Sequence, residues 1–247
     1  MTIPQPSDRR PHAVLHLPSR RLKAIKIERL LDLHAGSQLI RMLEIGTGSG
    51  GIAHYFATHS KLNCEVDAVD IEDNRQIKNG YRFTLVKDIH LPFPDHSFDV
   101  VISNHVIEHV GDSTCQRNHL LEMRRVLKPG GKAYLAFPNR WQWKEPHYRL
   151  AGLSWLPEYW RSPYLRLRKR GQCYDCRPLS LSQIETLLHA AGFSAWQQHG
   201  PALRLTYELE RPDALIFRAL LKRIPDEFYA HLRGWFPTLI FILRTAQ

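Results

Sequence analysis

A glycine-rich turn in the first quarter of the chain contains the residues best suited to binding a cofactor. Residues 43–51 read Leu-Glu-Ile-Gly-Thr-Gly-Ser-Gly-Gly, follow a short apolar run and precede a segment typical of a helix. A strand, a glycine turn and a helix in this order direct free backbone N–H groups towards a ligand that crosses the carboxyl end of the strand. The main chain can approach that ligand closely because glycine has no Cβ. The turn therefore predicts a nucleotide-type ligand.

The spacing of the glycines fits two cofactors. Gly46, Gly48 and Gly51 satisfy the dinucleotide fingerprint, and Asp70 lies near the distance expected for a ribose-binding carboxylate. Glu44 favours S-adenosylmethionine (SAM), because a carboxylate in a strand buried on both faces needs a cationic partner. The amino group of SAM would supply that partner. The glycine spacing alone does not choose between the two.

The composition is that of a globular protein with a strongly basic balance. The chain has 247 residues, 43% of them apolar and 23% charged, which is enough for one large domain with elaborations. Its formal net charge of +10 predicts an anionic partner: a phosphorylated substrate, an anionic membrane surface or nucleic acid. Four cysteines are too few for a disulfide framework, and the first 17 residues contain no apolar signal core. We therefore expect a cytoplasmic protein that can contact a membrane surface peripherally.

Strand and helix signals alternate along most of the chain. Apolar and β-branched runs predict strands at 39–46, 65–71, 82–88, 98–104, 132–137, 193–198 and 238–243. Helical spacing of apolar residues predicts helices at 21–34, 50–60, 73–79, 113–127 and 179–191, and a helix-like stretch at 207–236. Strands separated by helix-length connections predict a parallel α/β sheet with right-handed crossovers.

Changes in composition predict the domain organisation. Residues 1–35 form a basic N-terminal leader and an amphipathic helix that packs beside the core or over the cofactor, and residues 36–247 form the main domain. Residues 140–178 contain four of the six tryptophans and the basic run 166–170, so we expect an insertion that covers the substrate. Residues 207–236, broken by two prolines, are predicted to be a second, helical insertion.

Carboxylates end two of the predicted strands. Asp70 ends the second strand, where a carboxylate can accept both hydroxyl protons of a ribose cis-diol. Asp88 ends the third strand, where it can accept from an adenine amino group while Ile89 packs on the ring. Two further motifs follow in order. Residues 91–110 read Leu-Pro-Phe-Pro-Asp-His-Ser-Phe-Asp-Val-Val-Ile-Ser-Asn-His-Val-Ile-Glu-His-Val, and residues 127–131 read Leu-Lys-Pro-Gly-Gly.

Together with the glycine turn, these motifs resemble the class I SAM-dependent methyltransferases, in the small-molecule subgroup built as a lone catalytic domain. The resemblance covers about residues 39–139 and the helix and strand that contain Ala-Ala-Gly-Phe193. It implies a Rossmann-like α/β fold, with a seven-stranded sheet that is mostly parallel, an antiparallel last strand and helices on both faces. It displaces the dinucleotide interpretation, for which Glu44 has no role. The residues that it assigns to SAM binding are Glu44, Gly46, Thr47, Gly48, Asp70, Ile71, Asp88, Ile89 and Asn104, the last beside the sulfonium methyl.

Methyl transfer from SAM is an in-line displacement in which a neutral thioether leaves, so it needs no acid. The enzyme must hold the nucleophile about 3 Å from the methyl carbon and exclude water. A hydroxyl nucleophile also benefits from a base. Glu145-Pro-His147-Tyr148 offers one, because a histidine can accept a hydroxyl proton at neutral pH and Glu145 can orient His147. His109 is a further catalytic candidate.

His105-Val-Ile-Glu108-His109 is a second candidate site, whose three polar residues would share one face of a helix. Ubiquinone-pathway O-methyltransferases and the methyltransferases of small-RNA 3′ ends, which the sequence resembles here, bind a divalent metal through Glu-x-x-Glu-His at this position. His105 replaces the first glutamate, which favours a substrate-side or structural role over a divalent metal at His105, Glu108 and His109. Cys173 and Cys176 lack a second pair of ligands at zinc-like spacing and are interpreted as incidental.

The sequence thus predicts a SAM-dependent methyltransferase that acts on a small molecule, with a hydroxyl of a glycan or glycolipid precursor as the expected acceptor. Tryptophans in the insertion can stack on sugar faces, and the basic run can bind a phosphate. A quinone, a phenol or another apolar acceptor is the alternative within this class. The net charge favours a nucleic-acid methyltransferase, but no RNA-binding module accompanies it. A non-catalytic SAM-binding subunit is a third class, against which the intact set of SAM residues argues.

Overall fold

The fold is a seven-stranded sheet between two layers of helices. The computed structural model describes residues 16–58 and 61–245, so most of the predicted leader lies outside the described residues. The strands follow one another across the sheet in the order β3-β2-β1-β4-β5-β7-β6. They are β1 Ile40–Ile45, β2 Cys64–Asp70, β3 Arg82–Leu85, β4 Phe98–Asn104, β5 Leu127–Pro138, β6 Phe193–Gln197 and β7 Thr238–Thr245.

The pairing of the strands confirms the predicted topology. The first five strands pair in parallel, and β7, the last strand, runs antiparallel to both β5 and β6. Because β1, β2, β3 and β4 are parallel neighbours, their carboxyl ends lie at one edge of the sheet. Ligands bind at this edge in open α/β sheets.

Two hydrophobic cores, one on each face of the sheet, hold the helices in place. The helices are α1 Leu17–Leu30, α2 Gly51–Thr58, α3 Ser113–Val126, α4 Glu158–Leu167, α5 Leu181–Ala190, α6 Gly200–Glu210 and α7 Asp226–His231. Apolar residues of α1, α2 and α6 belong to one core, and those of α3 and α5 to the other. Phe56 of α2 and Leu120 of α3 are both fully buried, and each burial stabilises the fold by about 2–3 kcal/mol. No helix among the described residues has the length and apolarity to cross a bilayer.

The centre of the sheet is almost entirely apolar, as expected for strands that are covered on both faces. β4 supplies Val100, Val101 and Ile102, which are at most 3% exposed. Glu44 is the exception in β1, where it is 2% exposed. The helix after β4, α3, begins at Ser113, because the Asp112 side chain accepts from the backbone N–H of Cys115 and caps it.

Three local predictions are wrong. Residues 73–79 are not helical, because the Asp73 carboxylate accepts from the backbone N–H and the guanidinium of Arg75 and so competes with helical hydrogen bonding. β3 ends at Leu85, so Asp88 lies in the following loop rather than at the end of a strand. Residues 105–109 form turns instead of a helix, and His105 has a φ of 59°.

The 140–178 segment has a small core of its own. Tyr148, Leu150, Leu153, Leu165 and Cys176 pack together there, separate from the two sheet cores. The segment contains a 3-10 turn, Leu153–Trp155, and helix α4. Residues 207–236 contain the end of α6, a π-helical turn at Phe217–Leu221 and α7, with prolines at the breaks.

Candidate functional site

The glycine turn after β1 has a conformation that only glycine tolerates at Gly46. Gly46 has a φ of +75°, and a Cβ built there would lie 2.4 Å from Cγ2 of Val106. The backbone N–H of Gly46 also donates to the carbonyl of Val69 at 2.8 Å. The turn is therefore fixed between the ends of β2 and β4.

Glu44 lies beneath this turn and is bound to it. Its Oε2 accepts from the Thr47 hydroxyl at 2.7 Å and from the Ala53 N–H at 2.9 Å. Burial raises the pKa of Glu44 to about 8, although both hydrogen bonds and the charge of Arg20 in α1 oppose that change. At neutral pH the free protein thus holds a protonated carboxyl group at the place where the sequence predicts a contact with a cationic amino group.

Asp70 is held in place by the same turn. Its Oδ2 accepts from the N–H of Gly48 at 2.9 Å, and its Oδ1 accepts from the N–H of Ile71 at 2.8 Å. The side chain remains half-buried, and each carboxylate oxygen keeps a lone pair for a ligand hydroxyl. Burial raises the pKa of Asp70. Ile71 is 53% exposed beside it, an apolar surface next to a carboxylate.

The remaining predicted cofactor residues lie on the loop after β3 and at the end of β4. Asp88 is exposed and accepts from the N–H of His90 at 2.8 Å, and Ile89 is half-buried. Asn104 is 9% exposed, and its buried Oδ1 accepts no hydrogen bond from the part of the chain that the structure describes. A buried acceptor without a donor is costly unless a ligand supplies one. The residues at this edge therefore fit a ligand with a cationic amino group.

The two other candidate sites, at 105–109 and 145–148, form one cluster. Glu108, which is 1% exposed, lies at its centre. Its Oε1 is 3.3 Å from Nδ1 of His105, 3.8 Å from Nε2 of His147 and 3.9 Å from Nε2 of His109. The rings of His109 and His147 meet edge to face, with their centroids 4.8 Å apart. Residues that are about 40 positions apart in the sequence thus surround one buried carboxylate.

Charge and burial act in opposite directions on this cluster. Burial favours the neutral form of Glu108, but the nearby imidazoles of His105, His147 and His109 outweigh it, so the pKa of Glu108 lies well below its usual value. Burial lowers the pKa of His147, but Glu108 and Glu145 together raise it above the usual value. The ionised form of Glu108 is therefore favoured by the three imidazoles that it faces.

Glu145 holds the turn in which His147 lies. It is 1% exposed, and its Oε2 accepts from the N–H of Tyr148 at 2.6 Å. Its backbone N–H donates to Leu150, and its carbonyl accepts from Arg149. The carboxylate of Glu108 also lies near the His147 ring, with its Oε1 3.8 Å from Nε2.

Cys176 belongs to this cluster, which the sequence does not indicate. Its Sγ lies 3.7 Å from Nδ1 of His109, and the side chain is 2% exposed. The backbone N–H of Arg177 donates to the carbonyl of Glu108 at 2.7 Å and so fixes the end of the 140–178 segment to the turn after β4. No local pattern predicts this contact, since the two chain segments are joined only by tertiary packing.

The outer surface of the 140–178 segment is aromatic and basic. Five aromatic side chains are between 42% and 73% exposed there: Trp141, Trp143, Trp155, Tyr159 and Trp160. Arg166, Arg168, Lys169 and Arg170 follow α4 or end it, and all are exposed. This surface combines flat apolar rings with cations.

Comparison with known proteins identifies a methyltransferase domain. Residues 43–135 match the family model described as a methyltransferase domain. The chain is 33% identical over 164 residues to a ubiquinone/menaquinone biosynthesis C-methyltransferase of Cupriavidus necator, covering 61% of this chain and 66% of that protein. It is 35% identical over 127 residues to the protein of the same name in Ralstonia nicotianae, covering 47% and 51%. The chain spans about half the length of several of the curated relatives that it matches.

Solved structures share the fold. The cyclase SpnF aligns with a TM-score of 0.56 and 20% identity, over 97% of this chain and 85% of that one. Phosphoethanolamine N-methyltransferase 2 of Haemonchus contortus, in complex with SAM, aligns with the same TM-score and identity, over 93% of this chain and 53% of that one. At this level of identity the likeness concerns the fold alone.

Proposed function

We propose a methyl-transfer reaction for this chain, which belongs to the class I SAM-dependent methyltransferases. The acceptor is a hydroxyl of a small molecule, and a glycan or glycolipid precursor is the acceptor class that we favour. The observation that supports this proposal is the buried Glu108 carboxylate, which faces three histidines directly after β4.

SAM would be held at the carboxyl edge of the sheet by the residues that the sequence predicts. Asp70 would accept from the ribose hydroxyls and Asp88 from the adenine amino group, with Ile71 and Ile89 against the rings. Glu44 and Asn104 would face the amino-acid end. Bound there, SAM would supply an electrophilic methyl group and leave as a neutral thioether.

His147 is the proposed base. Its Nε2 lies 3.8 Å from Oε1 of Glu108, so a proton taken from the acceptor hydroxyl would be stabilised by an adjacent negative charge. Glu145 fixes the turn that presents His147, and His109 packs edge to face against its ring. This arrangement resembles the usual way in which a carboxylate orients an imidazole base and stabilises its protonated form.

The surface of the 140–178 segment supports an amphipathic acceptor with an anionic group. Exposed indole rings provide flat faces for sugar rings. The exposed cations at 166–170 complement a phosphate, either on a soluble precursor or among anionic membrane headgroups. A lipid-linked acceptor presented at a membrane surface would use both features.

A second candidate is C-methylation of a quinone or phenol ring. The curated relatives named above are C-methyltransferases of ubiquinone/menaquinone biosynthesis, and this favours an aromatic acceptor. The same base would serve, because removing a phenol proton activates the ring carbon. The two candidates differ in the bond formed, which is O–CH₃ in one and C–CH₃ in the other.

The test is methyl transfer from isotope-labelled SAM to fractionated glycan, lipid and quinone extracts, with protein treated with a chelator beforehand. Label in an O-methyl group of a glycan fraction is the expected result, and label on a ring carbon would replace our proposal by the second candidate. Label in RNA or DNA, with steep salt dependence, would overturn both.

Variants of two histidines test the base. His147→Gln should lower turnover about 10²- to 10⁴-fold while leaving SAM affinity intact. His189→Gln, at an exposed position on α5, is the matched control and should keep full turnover. Near-normal turnover in His147→Gln would remove this residue from the mechanism.

A further inference from the structure

We propose that His109, His147 and Cys176 bind one transition-metal ion of the zinc class. One donor atom from each of these residues lies within 4.8 Å of the other two. A thiolate and two imidazoles are soft and borderline ligands, which favour zinc, cobalt or copper over magnesium or calcium. This set differs from the one suggested by the sequence, with which it shares only His109.

The distances are close to those of an occupied site. With Zn–S near 2.3 Å and Zn–N near 2.0 Å, the donor atoms of a tetrahedral zinc site lie about 3.5 Å apart. Cys176 Sγ and His109 Nδ1 are already 3.7 Å apart. No two of the donor atoms are more than 4.8 Å apart, so a movement of about 1 Å in one side chain would close the site around an ion.

Hydrogen bonds that do not involve the donor atoms hold the three segments together. The Gln116 side chain donates to the carbonyls of Ile107 and Arg177, at 3.2 and 2.9 Å, next to two of the ligands. The Tyr148 hydroxyl, one residue after His147, donates to the Asp175 carboxylate at 2.8 Å. The ligands are therefore brought together before any ion binds.

Glu108 lies where it can accept a hydrogen bond from a metal-bound His109. Cys176 approaches His109 on its Nδ1 side, while Glu108 lies 3.9 Å from Nε2 of the same ring. An ion on Nδ1 would leave the Nε2–H facing a carboxylate, the usual arrangement for a metal-bound histidine. The thiolate and Glu108 would also balance the charge of a divalent ion in a buried place.

When the ion binds, protein ligands replace some of its water molecules and Cys176 loses its thiol proton. Cys176 gives up its thiol proton to solvent and forms a sulfur–metal bond, the two neutral imidazoles each donate a lone pair, and the ion loses the corresponding waters. No oxidant or reductant takes part. A fourth position stays open for water or for an oxygen of the acceptor.

His147 is both a ligand of this metal site and the proposed base of methyl transfer. An ion that holds the lone pair of His147 prevents that nitrogen from accepting a proton. Metal-loaded protein should therefore turn over more slowly than chelator-treated protein, a consequence that rests on the proposed function.

Cobalt spectroscopy tests the site without reference to activity. The full chain, purified without a histidine tag and stripped with a chelator, is titrated with Co²⁺. We expect one ion per chain, intense visible bands of a four-coordinate site and a near-ultraviolet thiolate-to-cobalt band. Cys176→Ser should abolish the thiolate band, whereas Cys173→Ser, three residues away and half-buried, should keep it.

A second variant tests whether Glu108 supports the metal site without being a ligand itself. Glu108→Gln should retain the thiolate band and lose about 10- to 100-fold in affinity. Zinc should raise the unfolding temperature of the wild type and of Cys173→Ser, but not of Cys176→Ser. Folded wild-type protein, verified by circular dichroism, that shows no thiolate band, or a band that persists in Cys176→Ser, would overturn the proposal. A normal cobalt spectrum in protein that transfers no methyl group would leave the site standing and refute only the proposed function.

Discussion

Replacing Glu44 by glutamine should stabilise the free protein at alkaline pH and weaken its binding of SAM. Both hydrogen bonds that Glu44 accepts, from the Thr47 hydroxyl and the Ala53 N–H, end on one oxygen. A glutamine carbonyl oxygen in that place keeps both of them. The substitution therefore removes the ionisable group with little change in packing.

The magnitude follows from the pKa. The Glu44 carboxyl has a usual pKa of 4.5, which burial raises to about 8 in the folded protein. Between these two values the unfolded chain loses its proton and the folded chain keeps it, so the free energy of unfolding falls as pH rises from 4.5 to 8 and then levels off. A tenfold change in a dissociation constant corresponds to about 1.4 kcal/mol, so the total loss is on the order of 5 kcal/mol.

Denaturant unfolding of both proteins, without SAM, measures this effect. Well below pH 4.5 the two should have nearly the same dependence on pH, and by pH 8 the wild type should have lost several kcal/mol relative to Glu44→Gln. Other groups titrate in both proteins and cancel in the difference. Parallel stability profiles from pH 5 to pH 8 would refute the raised pKa.

Calorimetry with SAM should show the opposite effect of the substitution, because Glu44→Gln stabilises the free protein but weakens its binding of SAM. A cationic amino group near Glu44 favours the ionised form, so binding should release a proton near pH 7 in the wild type, detected as a dependence of the heat on the buffer. Glu44→Gln should bind SAM about 10- to 100-fold more weakly, the usual effect of losing a hydrogen bond to a charged group. Unchanged affinity would show that the amino group lies elsewhere.

Two other substitutions test the cofactor edge. Gly46→Ala should destabilise the protein by about 1–3 kcal/mol in denaturant unfolding, because its φ of +75° and the 2.4 Å approach to Val106 exclude a Cβ. Gly36→Ala, where a Cβ meets nothing within 4 Å, is the control and should leave stability nearly unchanged. Asp70→Ala should abolish SAM binding in calorimetry, while Asp213→Ala at an exposed position should not, and an unaltered affinity in Asp70→Ala would contradict the ribose contact.

The sequence predicts correctly those elements that are determined by residues close together in the chain. The strands follow from apolar runs, and the turn after β1 follows from the glycines that its backbone requires. Errors occur where a side chain overrides the local pattern. Asp73 binds the backbone of Arg75 and prevents the helix expected at 73–79. β3, at the edge of the sheet, ends at Leu85 because only one neighbour supports it.

The substrate side could not be predicted in the same way. His109, His147 and Cys176 lie on three segments separated by about 30 to 40 residues, and their meeting depends on hydrogen bonds such as that from Arg177 to Glu108. Each residue alone has an ordinary structural explanation. Only the fold of the 140–178 segment joins the two sites that the sequence presents as alternatives.

The predicted SAM-binding residues and the histidine cluster should respond differently to substitutions, because different cores support them. The predicted SAM-binding residues lie at the carboxyl edge of the sheet, so their geometry depends on the two large cores that hold the sheet and its helices together. The positions of His147 and Cys176 depend instead on the small core of Tyr148, Leu150, Leu153, Leu165 and Cys176, and on hydrogen bonds such as that from Arg177 to Glu108 in the turn after β4. We expect substitutions in that small core to move His147 while the sheet stays in place. Under the proposed function, the choice of acceptor would then vary independently of SAM binding.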